Sequence, residues 1–115
     1  MTIVCFGSLD PAGVDAGPAS DRIVSGDPRA TLWVYHESED GRFSAGVWQC
    51  TPGRWRIACE EQEYCHILSG SGAVISSDGR RFSITAGDQF VVPSGFVGEW
   101  EVVETMKKNW VVMLP

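Results

Sequence analysis

What constrains this chain most is its punctuation. From residue 31 onward, short runs rich in aromatic and β-branched residues alternate with breaks of glycine, proline and aspartate. "TLWVYH" is followed by "EDGR" (39–42), "FSAGVWQC" by "TPG" (51–53), and "RWRIAC" by "EYCHILSG". "AVISS" then meets Asp78-Gly79, "RRFSIT" meets "AGD" (86–88), and "QFVV" meets "PSG" (93–95). "FVGEWEVVE" and "NWVVMLP" end the chain. Such runs read as strands with a period of two residues. No segment carries the apolar spacing of an amphipathic helix of about a dozen residues. Parallel βαβ folds need helical crossovers and are excluded. The pattern predicts an all-β, antiparallel sandwich or barrel. Asp78-Gly79 predicts a hairpin with a type I′ turn, positive φ being required at both central residues.

Residues 1–30 differ from the rest. "SLDPAGVDAGPASD" has no periodicity and predicts an irregular N-terminal arm. The arm is expected to lie on the body or on a neighbouring subunit, with a partly disordered tail as the plainer alternative. One β domain is expected over residues 31–115. The length of 115 residues suits a single core built without disulfide or metal support. A formal charge of −6 argues against nucleic acid or anionic membrane as partner. Cys5, Cys50, Cys59 and Cys65 form no CxxC pair. No basic leader precedes an apolar run, and no run is long enough to span a membrane. Reduced thiols and a cytoplasmic location are expected.

The stretch "EYCHILSGSG" and the downstream turns carry a recognisable frame. Glu63 is followed by six residues and Gly70; Gly87 is followed by five residues, Pro93, one residue and Gly95. These are turn positions of the two cupin motifs, G-x5-H-x-H-x3/4-E-x6-G and G-x5-P-x-G-x2-H-x3-N. Together with "GVWQCTPGRWR", "AGDQFVVPSGFVGEWEV" and "VETMKKNWVV", the chain resembles the small single-domain cupins of the (S)-ureidoglycine aminohydrolase type. These are in turn similar to the cupin accessory protein of ethanolamine utilisation. The resemblance covers residues 24–115. It implies an antiparallel double-stranded β-helix, the cupin jelly roll, and, for an enzyme, an aminohydrolase-like hydrolase.

The resemblance also implies a divalent metal held by three histidines and a glutamate. Here the first pair of histidine positions falls on Arg56 and Ala58, or on Ile57 and Cys59 with the shorter spacing. The second motif's positions fall on Gly98 and Val102. Only Glu63 of the ligand set is retained. Arginine, alanine, glycine and valine offer no metal donor, and stable sites need three or four ligands. No cofactor is expected; a lone carboxylate holds a divalent ion weakly at most.

Strand parity places Glu63, Cys65 and Ile67 inward and His66 outward. The same register turns Arg56, Ala58, Gly98, Trp100 and Val102 inward, while a β-bulge would bring Cys59 inward instead. Arg56, Glu63, Cys65 and Trp100 are therefore the expected ligand-binding cavity, with Glu63 the best catalytic candidate. Arg56 and Glu63 are expected to pair across adjacent strands, and Trp100 either walls an open cavity or plugs the barrel. His36 is expected at the surface, and Trp48 and Trp55 in core or dimer packing. Glu99, Glu101 and Glu104 are expected on a solvated or edge-protecting face, and Lys107 and Lys108 in a polar turn. Three functions fit. The first is a homodimeric cupin binding a small polar amino, ureido or carboxylate metabolite without metal. The second is a metal-dependent aminohydrolase-like enzyme of nitrogen metabolism. The third is a non-catalytic dimeric interaction or regulatory module.

Overall fold

Two long strands organise the molecule. The structure, a computed structural model, describes residues 2–115. Its strands are β1 (Val14–Asp15), β2 (Ile23–Gly26), β3 (Ala30–Glu37), β4 (Phe43–Cys50), β5 (Gly53–Ala58), β6 (Gln62–Ser76), β7 (Arg81–Thr85), β8 (Gln89–Val92) and β9 (Val97–Met113). β6 and β9 run antiparallel from Gln62 opposite Met113 to Ser76 opposite Gly98. Their ladder shifts register between Ile67 and Gly72. Gly70 sits there at φ 89°, where an L side chain is strained and a Cβ would collide with the Thr105 carbonyl. "EYCHILSGSG" is therefore part of one bent strand rather than a strand ending in a turn. Likewise "FVGEWEVVE" and "NWVVMLP" belong to one strand of 17 residues, and Lys107 and Lys108 lie within it instead of forming a turn.

The bend divides the sheet into two facing halves. One half is ordered β1-β3-β4, the C-terminal part of β9, the N-terminal part of β6, then β8. The other is ordered β2-β5, the N-terminal part of β9, the C-terminal part of β6, then β7. All pairings are antiparallel, giving the all-β jelly roll. Alternate residues of both halves form the core: Cys50, Cys65, Ile67 and Met106 are fully buried, with Trp48, Trp55, Trp100 and Trp110 packed around them.

The segment before Ala30 contributes two 3-10 turns and the short strands β1 and β2, which pair with β3 and β5. Phe6 stacks on Tyr35 with ring centroids 4.4 Å apart. The hairpin at Asp78-Gly79 is present, but not as a type I′ turn. Among the described residues no non-glycine residue has positive φ, and Gly79 alone supplies it at 86°. The Gly79 N–H donates to the Ser76 carbonyl, and the Ser76 N–H to the Arg80 carbonyl. The result is a three-residue loop closed by a left-handed glycine.

Glu99 and Glu101 do not protect an edge, because β9 is paired on both sides there, while Glu104 is exposed and pairs with β6 alone. They accept from cross-strand neighbours on the outer face: Arg54 on Glu99 at 2.5 Å, Arg81 on Glu101, and the Ser71 hydroxyl on Glu104 at 2.9 Å. All four thiols are free. Among the described residues no helix is long and apolar enough to cross a membrane.

Candidate functional site

A cavity of about 580 Å³ lies between the two halves, and Lys108, Glu63, Trp48, Trp55, Trp100 and Trp110 contribute to its wall. Strand register builds it. β4 sets Trp48 beside Lys108, and β5 sets Trp55 beside Trp100. The bend in β9 then brings Trp100 and Lys108, two residues of one strand, face to face. The Lys108 ammonium lies 4.4 Å from the Trp100 ring centroid and 4.5 Å from that of Trp48. Its Nζ donates to Glu63 Oε2 at 2.9 Å and to the Cys65 thiol at 3.6 Å. Lys108 is only 5% exposed, while the Glu63 side chain keeps 19%.

This is a cation caged by two indole faces and a carboxylate. Desolvated cation–π contacts contribute up to about 2 kcal/mol. Burial disfavours the ammonium, but Glu63, and then Cys65, more than offset it. The Lys108 pKa therefore stands above its ordinary 10.5, and the side chain is charged at neutral pH. Burial pushes the Cys65 thiol up to about 12 despite the pull of Lys108, and Cys50 to about 12 as well. Cys59 is raised by burial, then by Glu61 and Glu63. None of these three thiols is activated as a nucleophile. The Trp110 indole N–H is buried on the same wall without an acceptor among the described residues.

The expected residues fall into place unequally. Glu63 and Trp100 border the cavity, and Cys65 is buried beside Lys108. Arg56 does not reach Glu63. β5 runs one position out of the expected register: Trp55 is opposite Trp100 and Ile57 opposite Gly98, so these face inward. Arg56, opposite Glu99, is exposed at the cavity rim, and its guanidinium donates to the Asp21 carbonyl. The carboxylate's partner is Lys108. Trp48 and Trp55 pack in the core and also wall the cavity. His66 is half-buried outside the cavity, opposite Asn109 and Gln89, and His36 lies half-buried beside Phe43.

Lys108 is the residue sequence reasoning missed. Its signal was present: read as one strand, Met106, Lys108, Trp110 and Val112 form an alternating inward series in which a lone lysine stands among apolar neighbours.

A divalent metal does not fit this donor set. Ile57 and Gly98 offer no side-chain ligand, and Glu63 is already bound by an ammonium. Among the described residues no three histidine, cysteine, aspartate or glutamate side chains are grouped to hold an ion.

Comparison with known proteins gives the family and the fold. A family model described as the EutQ-like cupin domain matches residues 37–110. No curated protein matches. Among solved structures, a DUF861-family protein of Pseudomonas syringae pv. tomato is similar at 18% identity and TM-score 0.80, over 89% of this chain and 44% of that protein. This chain thus spans less than half the length of that relative. The EutQ protein of Clostridium difficile is similar at 19% identity and TM-score 0.68, over 86% of this chain and 80% of that one. An ethanolamine utilization protein Q of Salmonella typhimurium follows at 16% identity and TM-score 0.69, over 91% and 96%. At such identities the likenesses establish a shared fold.

Proposed function

The chain belongs to the EutQ-like cupin family, and within it we propose that this protein binds a small polar metabolite without metal, in the cavity built on Lys108 and Glu63. One observation carries the reading: a charged lysine, ion-paired at 2.9 Å, lies on the wall of a 580 Å³ space. Lys108 attracts a carboxylate or carbonyl oxygen. Glu63 has about four lone-pair sites, of which Lys108 takes one, so it still accepts from an amino or ureido N–H. Trp55 and Trp110 offer flat walls for the ligand's body.

The metal-dependent aminohydrolase reading has less support. The family match supports a EutQ-like cupin without pointing to ureidoglycine chemistry in particular, and the donor set lacks the ligands that a Lewis-acid metal needs. The plugged-module reading is weakened by the space left beside Trp100. For its setting we propose a cytoplasmic homodimer with no nucleic-acid or membrane partner, in keeping with the net charge of −6.

A thermal-shift and tryptophan-fluorescence screen with amino acids, ureido acids and short carboxylates tests the reading. A true ligand stabilises by about 2.7 kcal/mol at a hundredfold excess over Kd, and the response is lost in Lys108→Met. No saturable response from any compound overturns the reading.

A further inference from the structure

We propose that Glu63 and Lys108 form a proton-transfer pair acting on a small oxo acid. Glu63 removes a proton from the carbon next to the carbonyl, and the carbonyl oxygen rests on the Lys108 ammonium. The inference rests on the cavity binding a ligand as described above.

The geometry points to it in three ways. First, base and cation are in direct contact at 2.9 Å. In a carbonyl compound the oxygen and the α-hydrogen are separated by a similarly short span, so one small molecule can meet both groups. Second, the cation is held in place. Lys108 is fixed between the Trp48 and Trp100 rings and has Cys65 beneath it. A preformed positive charge on a buried, indole-walled ammonium stabilises a developing enolate far better than a mobile one in water. Third, the rim carries arginine. Arg22 and Arg56 border the cavity, and a guanidinium recognises a carboxylate. Arg56 spends one of its five donors on the Asp21 carbonyl and keeps the others.

The step balances without an outside reagent. The α C–H bond breaks and its proton passes to a Glu63 oxygen. The bonding pair becomes the C=C bond of the enolate, and the carbonyl π pair moves to oxygen, facing Lys108. Lys108 stays protonated throughout. Reversal returns a proton from Glu63 to carbon after exchange with solvent, so the simplest outcome is exchange of α-hydrogen for solvent hydrogen.

The test uses the full chain and pyruvate in D₂O. Proton NMR follows loss of the methyl signal, and tryptophan fluorescence follows binding in the same samples. Wild-type protein is expected to exchange the methyl protons faster than buffer. Glu63→Gln is expected to slow exchange by about a hundredfold or more while still binding pyruvate. The double variant Glu63→Leu/Lys108→Met, which removes both charges together and so leaves none unpaired, serves if a single variant fails to fold. It is expected to lose both binding and exchange. Pyruvate that binds saturably but exchanges no faster than in buffer overturns this inference and leaves the binding function standing. Exchange that persists in the double variant overturns it too. Pyruvate that does not bind, where another compound of the screen does, overturns the oxo-acid assignment alone.

Discussion

Lys108 Nζ sits 2.9 Å from Glu63 Oε2, so the glutamate that the motif spacing sets at a cupin ligand position is answered by an ammonium of the same chain. Both side chains are largely withdrawn from water. Removing one partner leaves the other buried and unpaired. Glu63→Ala is therefore expected to lower stability by about 3–5 kcal/mol, whereas Glu63→Leu/Lys108→Met is expected to be near neutral. Urea denaturation of Glu63→Leu, Lys108→Met and the double measures the coupling. Additive losses would dissolve the pair as an energetic unit.

Arg56 behaves differently. It is exposed at the rim and opposite Glu99 in the ladder. Arg56→Ala is expected to cost less than about 1 kcal/mol, in the range of surface contacts. A loss comparable to that of Glu63→Ala in the same urea series would restore the Arg56–Glu63 staple that the motif spacing first suggested.

Stability is expected to fall in alkali. The folded pKa of Cys50 and of Cys65 is about 12 against an ordinary 9.0, so between these values the unfolded chain releases protons that the folded chain keeps. The protective contribution is complete below pH 9 and is lost as pH rises toward 12. Lys108 has the same sign: its raised pKa gives stability that is present below 10.5 and lost as pH passes the folded value. Urea midpoints measured across this window should decline, and Cys65→Ala should flatten part of the decline. Midpoints that hold level or rise would contradict the buried-thiol arrangement.

Thiol titration follows from the same burial. Cys5 is exposed, Cys59 half-buried, and Cys50 and Cys65 buried. An aromatic disulfide reagent at neutral pH should find one fast thiol, one slow one, and two that appear only on denaturation. Rapid modification of Cys65 in the native protein would place it outside the core.

Gly70 tests the bend that makes the site. Gly70→Ala meets both a left-handed φ and the Thr105 carbonyl. A cost of about 1–3 kcal/mol is expected, together with loss of ligand response as Trp100 and Lys108 move apart. A neutral substitution would show that the bend does not depend on glycine.

The fold was readable because its signals are local. Strand alternation, Gly87, Pro93 and Gly95 needed no knowledge of partners. The site was half readable. Parity within one strand placed Glu63 and Cys65 correctly, and Trp100 and Val102 as well. Between strands, motif spacing misled where alternation did not: the motif frame set Arg56 inward, whereas plain alternation counted back from Glu63 through the turn reaches Ile57 and Trp55, the residues that face inward. Lys108 was hidden for a different reason. Two adjacent lysines look like solvent-facing residues unless a carboxylate across the sheet is known to receive one of them. Glu63 does so, opposite Val112 and four positions along β9 from Lys108. That contact is tertiary, and the alternation of Met106, Lys108, Trp110 and Val112 marks Lys108 as inward only once residues 97–113 are read as a single strand. The Asp78-Gly79 turn likewise chose its type from the hairpin's three-residue length rather than from the dipeptide.

The most direct test of the account is elemental analysis of protein purified from metal-replete medium, for the wild type and for Glu63→Ala. With Lys108 already bound to Glu63, manganese, iron, nickel and zinc should all be far below one per chain, and the substitution should change none of them. A near-stoichiometric metal that disappears on Glu63→Ala would contradict the proposal that Glu63 serves Lys108 and a metabolite rather than a metal.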